Sequence, residues 1–154
     1  MVYSIDTSAL LDGWNRYYPC DVFPSLWDRF DDLIEAGELI ASEEVLVELE
    51  RKDDEVYRWA KKRPGMFVPL DIDIQLMAKR ILSTYEKLVD TRAGRTAADP
   101  FVIAVAHVKS GVVITGEKHR GNTSRPNIPN VCDDMGIPWM NLLQLLRDQK
   151  WVFR

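Results

Sequence analysis

The feature that most limits how this chain can fold is the alternation of short apolar runs with stretches of helical period. Val2-Tyr3-Ser4-Ile5, Leu39-Ile40-Ala41 and Val112-Val113-Ile114-Thr115 each read as a buried strand. Between them, apolar residues recur at helical spacing. Strands that alternate with helices imply right-handed crossover connections and a mostly parallel sheet covered on both faces. The expected fold is an α/β three-layer sandwich, with residues 1–154 forming one domain.

The helices can be placed from their stripes. Leu26, Trp27, Phe30, Leu33 and Ile34 share a helix face that ends at Gly37. Ser42 opens a helix with Glu43 and Glu44 in its first turn. The stripe Val45, Leu46, Leu49, Val56, Trp59, Ala60 predicts that this helix runs on to Arg63-Pro64-Gly65. Met66-Phe67-Val68 suits a small edge strand. Asp71 or Asp73 caps a helix whose apolar face extends from Ile74 to Leu88. A basic loop, Thr91 to Thr96, precedes Asp99-Pro100 and the run Phe101–Val108, which is apolar almost all round and therefore expected to be central. His107 in that run is expected to be packed. After a polar loop from Gly116 to Pro129 come a turn at Val131-Cys132, a last strand at Ile137–Trp139 and a helix over Leu142–Leu146.

Composition removes several function classes. With 46% apolar and 29% charged residues, the chain suits a folded globular protein. Two cysteines and two histidines satisfy no zinc spacing and no disulfide framework. There is no leader pattern and no apolar run of bilayer length, so a cytoplasmic protein without a membrane partner is expected. A net charge of −4 disfavours holding nucleic acid by bulk positive charge, an objection that two bound divalent cations would remove.

Four carboxylates stand in suggestive places. Asp6 and Glu117 lie just past predicted strands, at the rim where an open parallel sheet binds ligands. Glu48 borders the stripe of its helix, and Asp99 begins the buried helix. Each also has a plainer role. Asp6 and Asp99 suit helix N-caps, the latter with Pro100 at the first helical position. Glu48 can lie along the surface, and Glu117 can be a solvated loop charge. If the four converge, two charges about 4 Å apart cost roughly 4 kcal/mol at an effective dielectric near 20. Such a cluster persists by protonation or by binding a cation. All-oxygen ligands favour Mg²⁺ or Mn²⁺, ions that activate water and stabilise an attacked phosphate.

The patterns Ile5-Asp6-Thr7-Ser8, Ala41-Ser42-Glu43-Glu44-Val45-Leu46-Val47-Glu48-Leu49, Ala98-Asp99-Pro100-Phe101-Val102-Ile103-Ala104 and Val113-Ile114-Thr115-Gly116-Glu117 resemble, in order and spacing, the four acidic motifs of the PIN-domain nucleases. Asn127-Ile128-Pro129-Asn130-Val131-Cys132 resembles a subgroup of uncharacterised bacterial and archaeal PIN-like proteins. The resemblance implies a Mg²⁺- or Mn²⁺-dependent endoribonuclease, commonly the toxin of a type II toxin–antitoxin pair and often a homodimer. Its partners would be an RNA substrate and a cognate antitoxin. Asp6, Glu48 and Asp99 match the core metal ligands of the family. Glu117 matches the fourth acid, a slot that more usually holds Asp, so direct and water-mediated contact are both open there. Thr7 or Ser8, and Thr115, are expected to support the site.

Lys118, His119, Arg120 and Arg125 are candidate phosphate contacts or simply a solvated loop; Lys118 and Arg120, with Ser8 and Thr115, are the substrate-binding candidates. Arg92 and Arg95 are similar. Trp14, Tyr17 and Tyr18 form a candidate partner surface, while most tryptophans fall on core stripes. Gly116 to Gly121 has P-loop glycine spacing, but the Lys-Ser/Thr that should follow is absent, which excludes a nucleotide triphosphatase. No Gly-x-Ser-x-Gly is present. A strand-end aspartyl phosphatase would need a second aspartate where Ser8 stands. The competing reading from another class is a non-catalytic PIN-like binding module.

Overall fold

The structure, a computed structural model, describes residues 1–89, 98–121 and 124–154. Arg92, Arg95 and the basic loop around them lie outside the described residues.

Five strands form one sheet: β1 (Tyr3–Ile5), β2 (Leu39–Ser42), β3 (Phe67–Val68), β4 (Val112–Ile114) and β5 (Trp139–Met140). Their order is β3-β2-β1-β4-β5, and every pair is parallel. The register sets Tyr3 beside both Leu39 and Val112. These central strands are wholly buried, as a sheet covered on both faces requires.

Between β1 and β2 lie α1 (Thr7–Asp12), a π-helical turn (Gly13–Tyr17) and α2 (Pro24–Glu35). Helices α3 (Glu43–Lys52) and α4 (Asp54–Lys61) connect β2 to β3. Helices α5 (Ile72–Thr84) and α6 (Ala98–Val108) precede β4, α7 (Ile128–Met135) leads to β5, and α8 (Leu142–Asp148) follows it. Strand alternation shows the two faces. Ser4 turns to α6, donating to the Val102 carbonyl at 2.8 Å. Tyr3 turns to the other side, where its hydroxyl donates to Asp148 in α8 and accepts from Gln149 at 2.7 Å. The order of the strands reverses at β1. Connections leave β1 towards β2 and β4 towards β5, so a crevice opens at the carboxyl ends of β1 and β4.

Several expectations are corrected. The predicted helix from Ser42 to Arg63 is two helices. Asp53 breaks it with extended backbone and caps α4, accepting from Glu55 N at 3.0 Å and Val56 N at 3.1 Å. Ser42 caps α3 as expected, accepting from Glu44 N. Of the two candidates, Asp71 caps α5, which ends at Thr84 rather than Leu88, where a separate 3₁₀ turn has formed. The turn at Val131-Cys132 is part of α7. The last strand sits at Trp139–Met140, because Trp139 is the residue that pairs with Val113. His107 is exposed, lying in the last turn of α6 beyond the buried run Val102–Ala106. Among the described residues no helix is long and apolar enough to cross a membrane.

Candidate active site

Asp6 follows β1 directly and is 2% exposed. It occupies the N-cap position of α1, yet its side chain makes no capping bond. The capping role is therefore not what holds it. Instead Oδ2 accepts from the Ser8 hydroxyl at 2.6 Å and from the Thr115 hydroxyl at 3.1 Å. Ser8 Oγ in turn accepts from Gly116 N at 3.0 Å, and Thr115 Oγ1 accepts from Glu117 N at 3.1 Å. The loop after β4 is thereby fastened to the loop after β1. Gly116 makes room at this point: a Cβ there would push the Asp12 carboxylate aside and lie 3.3 Å from the Ser8 carbonyl.

Glu117 carries its carboxylate back to the N-terminus of α7, where Oε2 accepts from Ile128 N at 3.1 Å. That position suits an anion, since the first amides of a helix point outward with the positive end of its dipole. Asn127 and Asn130 hold this arrangement through a reciprocal capping box. Asn127 Nδ2 also donates to the Lys118 carbonyl at 2.6 Å and Asn130 Nδ2 to the Arg120 carbonyl at 2.9 Å.

From the opposite side come Glu48 on α3 and Asp99 on α6. Glu48 is 6% exposed, and its Oε1 accepts from Lys52 Nζ one turn along at 2.9 Å. Asp99 lies in the first turn of α6, so it is itself helical and not the N-cap that Pro100 led one to expect.

Asp6, Glu48, Asp99 and Glu117 line one cavity of about 510 Å³, together with Ser8, Lys118 and Arg120. Asp12, Lys52 and Asn127 also line it, and sequence reasoning missed all three as site residues. Lys52 had a readable signal, the Glu48–Lys52 spacing of four on one helix face. Thr115 reaches the site through Asp6 and Ser8. Thr7 does not: its hydroxyl is buried and has no hydrogen-bond partner among the described residues. His119 engages Asn130 and Asp133, and Arg125 offers its carbonyl to Arg120.

Electrostatics report the crowding. Burial, then the Glu117 and Glu48 charges, push the Asp6 carboxyl well above the usual carboxylate range, against the opposing Ser8 and Thr115 hydrogen bonds. Asp99 is pushed up by burial and by Asp6, Glu117 and Glu48, with Lys52 opposing. This donor set is all oxygen, anionic and short of positive charge, which fits a hard divalent cation. Among the described residues, no group of three or more acidic, histidine or cysteine side chains is already drawn together as a metal centre. Lys52 on Glu48 and the Ile128 amide on Glu117 occupy oxygens that a cation would claim.

A family model described as a domain of unknown function (DUF4411) matches residues 3–153. The chain belongs to this family. For this DUF4411 protein no match was found among curated proteins. Solved structures resemble it in fold. A chain of VapBC2 from Rickettsia felis, crystallised bound to a DNA fragment from their promoter, aligns with TM-score 0.55 and 14% identity, over 92% of this chain and 98% of that one. A chain of FitAcB from Neisseria gonorrhoeae aligns with TM-score 0.53 and 16% identity, over 92% of this chain and 97% of that one. The DUF4411 chain therefore has a PIN-like α/β fold, as its motifs implied.

Proposed function

We propose that this DUF4411 protein is a divalent-metal-dependent endoribonuclease and the toxin half of a toxin–antitoxin pair. One observation carries the reading: four carboxylates from four separate segments line a single cavity at the crevice where β1 and β4 end. Asp6, Glu48 and Asp99 would hold Mg²⁺ or Mn²⁺, with Glu117 as the fourth acid. When bound, the ion supplies activation of water and stabilisation of charge on the attacked phosphate.

The chain's own residues prepare the pocket for that chemistry. Ser8 and Thr115 fix the Asp6 carboxylate through Oδ2 and leave Oδ1 outside their bonds. Lys118 and Arg120, on the cavity wall, attract and orient the phosphate backbone. Lys52 balances charge on the α3 side until a cation arrives.

The fold shared with VapBC2 and FitAcB chains supports an antitoxin partner, as does the resemblance of the motifs. Homodimerisation is proposed on the same basis. A second reading, a non-catalytic PIN-like module, is favoured by the Lys52–Glu48 bond and by the absence, among the described residues, of an assembled ligand set. Cleavage of end-labelled RNA with Mn²⁺, with and without chelator, decides between them. The nuclease reading expects chelator-sensitive cleavage that Asp99→Asn abolishes; no cleavage favours the module, and cleavage that survives both overturns the metal-dependent site. Growth arrest on expression, relieved by the product of the adjacent reading frame, tests the toxin assignment.

A further inference from the structure

Glu48 and Lys52 lie one turn apart on α3, a spacing that on an ordinary helix surface gives a solvated ion pair. Here the pair is turned inward. The Glu48 side chain is only 8% exposed, and the Lys52 ammonium follows it to 2.9 Å while its own side chain stays 50% exposed. Both residues line the acidic cavity. The positive charge reaches further than Glu48, since it also opposes the rise of the Asp99 carboxyl.

Two physical facts decide what happens when a cation arrives. An oxygen that accepts from an ammonium cannot also ligate a doubly charged ion without the two positive charges repelling at close range. Lysine, for its part, is a point charge on a flexible four-carbon stem, so it can swing while its backbone stays in place. Lys52 is the last residue of α3, and Asp53 after it leaves in extended backbone. Across the cavity stand Lys118 and Arg120. A phosphate between the two walls therefore meets cations on one side only, as long as Lys52 is engaged by Glu48.

We propose that Lys52 has two working positions: it neutralises Glu48 in the metal-free protein and, displaced by the ion, turns to a phosphate of the bound strand. Metal and strand then favour the same lysine position, so each tightens the other beyond what direct contact between ion and phosphate supplies. Without metal the lysine gives the strand nothing. The inference rests on the metal-dependent nuclease reading above and deepens it by making substrate capture conditional on metal loading.

The test compares wild type, Lys52→Met, Lys52→Gln and Lys52→Arg by fluorescence anisotropy, in chelator and in saturating Mn²⁺. The probes are a fluorescein-labelled 2′-O-methyl ribonucleotide decamer and a decamer of the same sequence with a neutral methylphosphonate backbone. In chelator all four proteins are expected to bind the charged decamer within about 2-fold of one another. In Mn²⁺, Lys52→Met and Lys52→Gln should bind it about 10-fold more weakly than wild type, the size of one charge-assisted contact, and Lys52→Arg should stay near wild type. The neutral decamer should not distinguish the proteins in either condition. By reciprocity, the charged decamer should tighten Mn²⁺ binding, read by electron paramagnetic resonance, about 10-fold more in wild type than in Lys52→Met.

Equal binding in chelator also reports that the variants are folded, and Lys52→Gln keeps a neutral donor for Glu48 should the methionine variant fail. A loss of the same size with and without Mn²⁺ reduces Lys52 to a general surface charge and overturns the inference. So does a variant that binds like wild type in Mn²⁺, or an equal loss on the neutral decamer. RNA cleavage by the wild-type protein separates the two readings. Lys52-dependent coupling without cleavage sinks the nuclease and keeps the two positions; cleavage with coupling that ignores Lys52 does the reverse. Absence of saturable Mn²⁺ binding sinks both.

Discussion

The two walls of the acidic cavity are built differently. On the sheet wall, Asp6, Ser8, Thr115, Gly116 and Glu117 are joined by a continuous series of hydrogen bonds that ends at the Ile128 amide of α7. On the helix wall, Glu48 is held by a lysine of its own helix, and Asp99 is pushed up in pKa by burial and then by its acidic neighbours. One wall is set by geometry and the other by charge balance. The sheet wall is therefore preorganised, while the helix wall is the one a cation would rearrange.

The largest effects should come from removing charge on either wall. Asp6→Asn and Asp99→Asn are each expected to lower Mn²⁺-dependent RNA cleavage by at least about 100-fold in single-turnover assays. Unequal losses, with Asp6 near wild type, would break the comparison by making the sheet wall dispensable. Next comes the supporting shell. Ser8→Ala should weaken Mn²⁺ binding or activity about 10-fold, the usual scale for a hydrogen bond that orients a ligand. Gly116→Ala, which forces Asp12 or Ser8 aside, should do at least as much.

Stability sharpens the contrast. The raised carboxyls of Asp6 and Asp99 mean that the folded protein binds protons more tightly than the unfolded chain. Their contribution is fully present below the unfolded pKa, near 4, and is lost as pH rises through the folded values. In chelator, thermal stability should fall from mildly acidic to alkaline pH. Asp99→Asn should remove part of that slope and raise Tm by about 2–4 °C at pH 8, read by calorimetry. The smallest effect belongs to Lys52→Met. Removing a cation from the helix wall should tighten Mn²⁺ binding a few-fold while lowering the stability of the metal-free protein.

The strands and their order of connection were legible because β1, β2 and β4 are short apolar runs that follow directly from period and composition. The acids were legible one by one, since three of them flank a strand end or a helix start. Their convergence was legible only through the family resemblance, because it depends on α3 and α6 reaching the same crevice from separate crossovers. The α3–α4 break was hidden for a physical reason: Leu49, Val56 and Trp59 stay in phase across Asp53, so periodicity ran through the cap. Helix α7 was hidden, although Asn127-Ile128-Pro129-Asn130 carries a capping signal, because eight residues are too few for an apolar stripe to show its period. Lys52 shows in the sequence only as a spacing of four from Glu48, and its carbon chain lets it reach that buried carboxylate.

The most direct measurement is a Mn²⁺ titration of the chelator-treated protein followed by electron paramagnetic resonance, which reads bound ion without requiring turnover. The account predicts one or two saturable sites in the wild-type protein, weakened at least about 10-fold by each of Asp6→Asn, Glu48→Gln and Asp99→Asn. No saturable binding, or binding that all three variants leave intact, would contradict it.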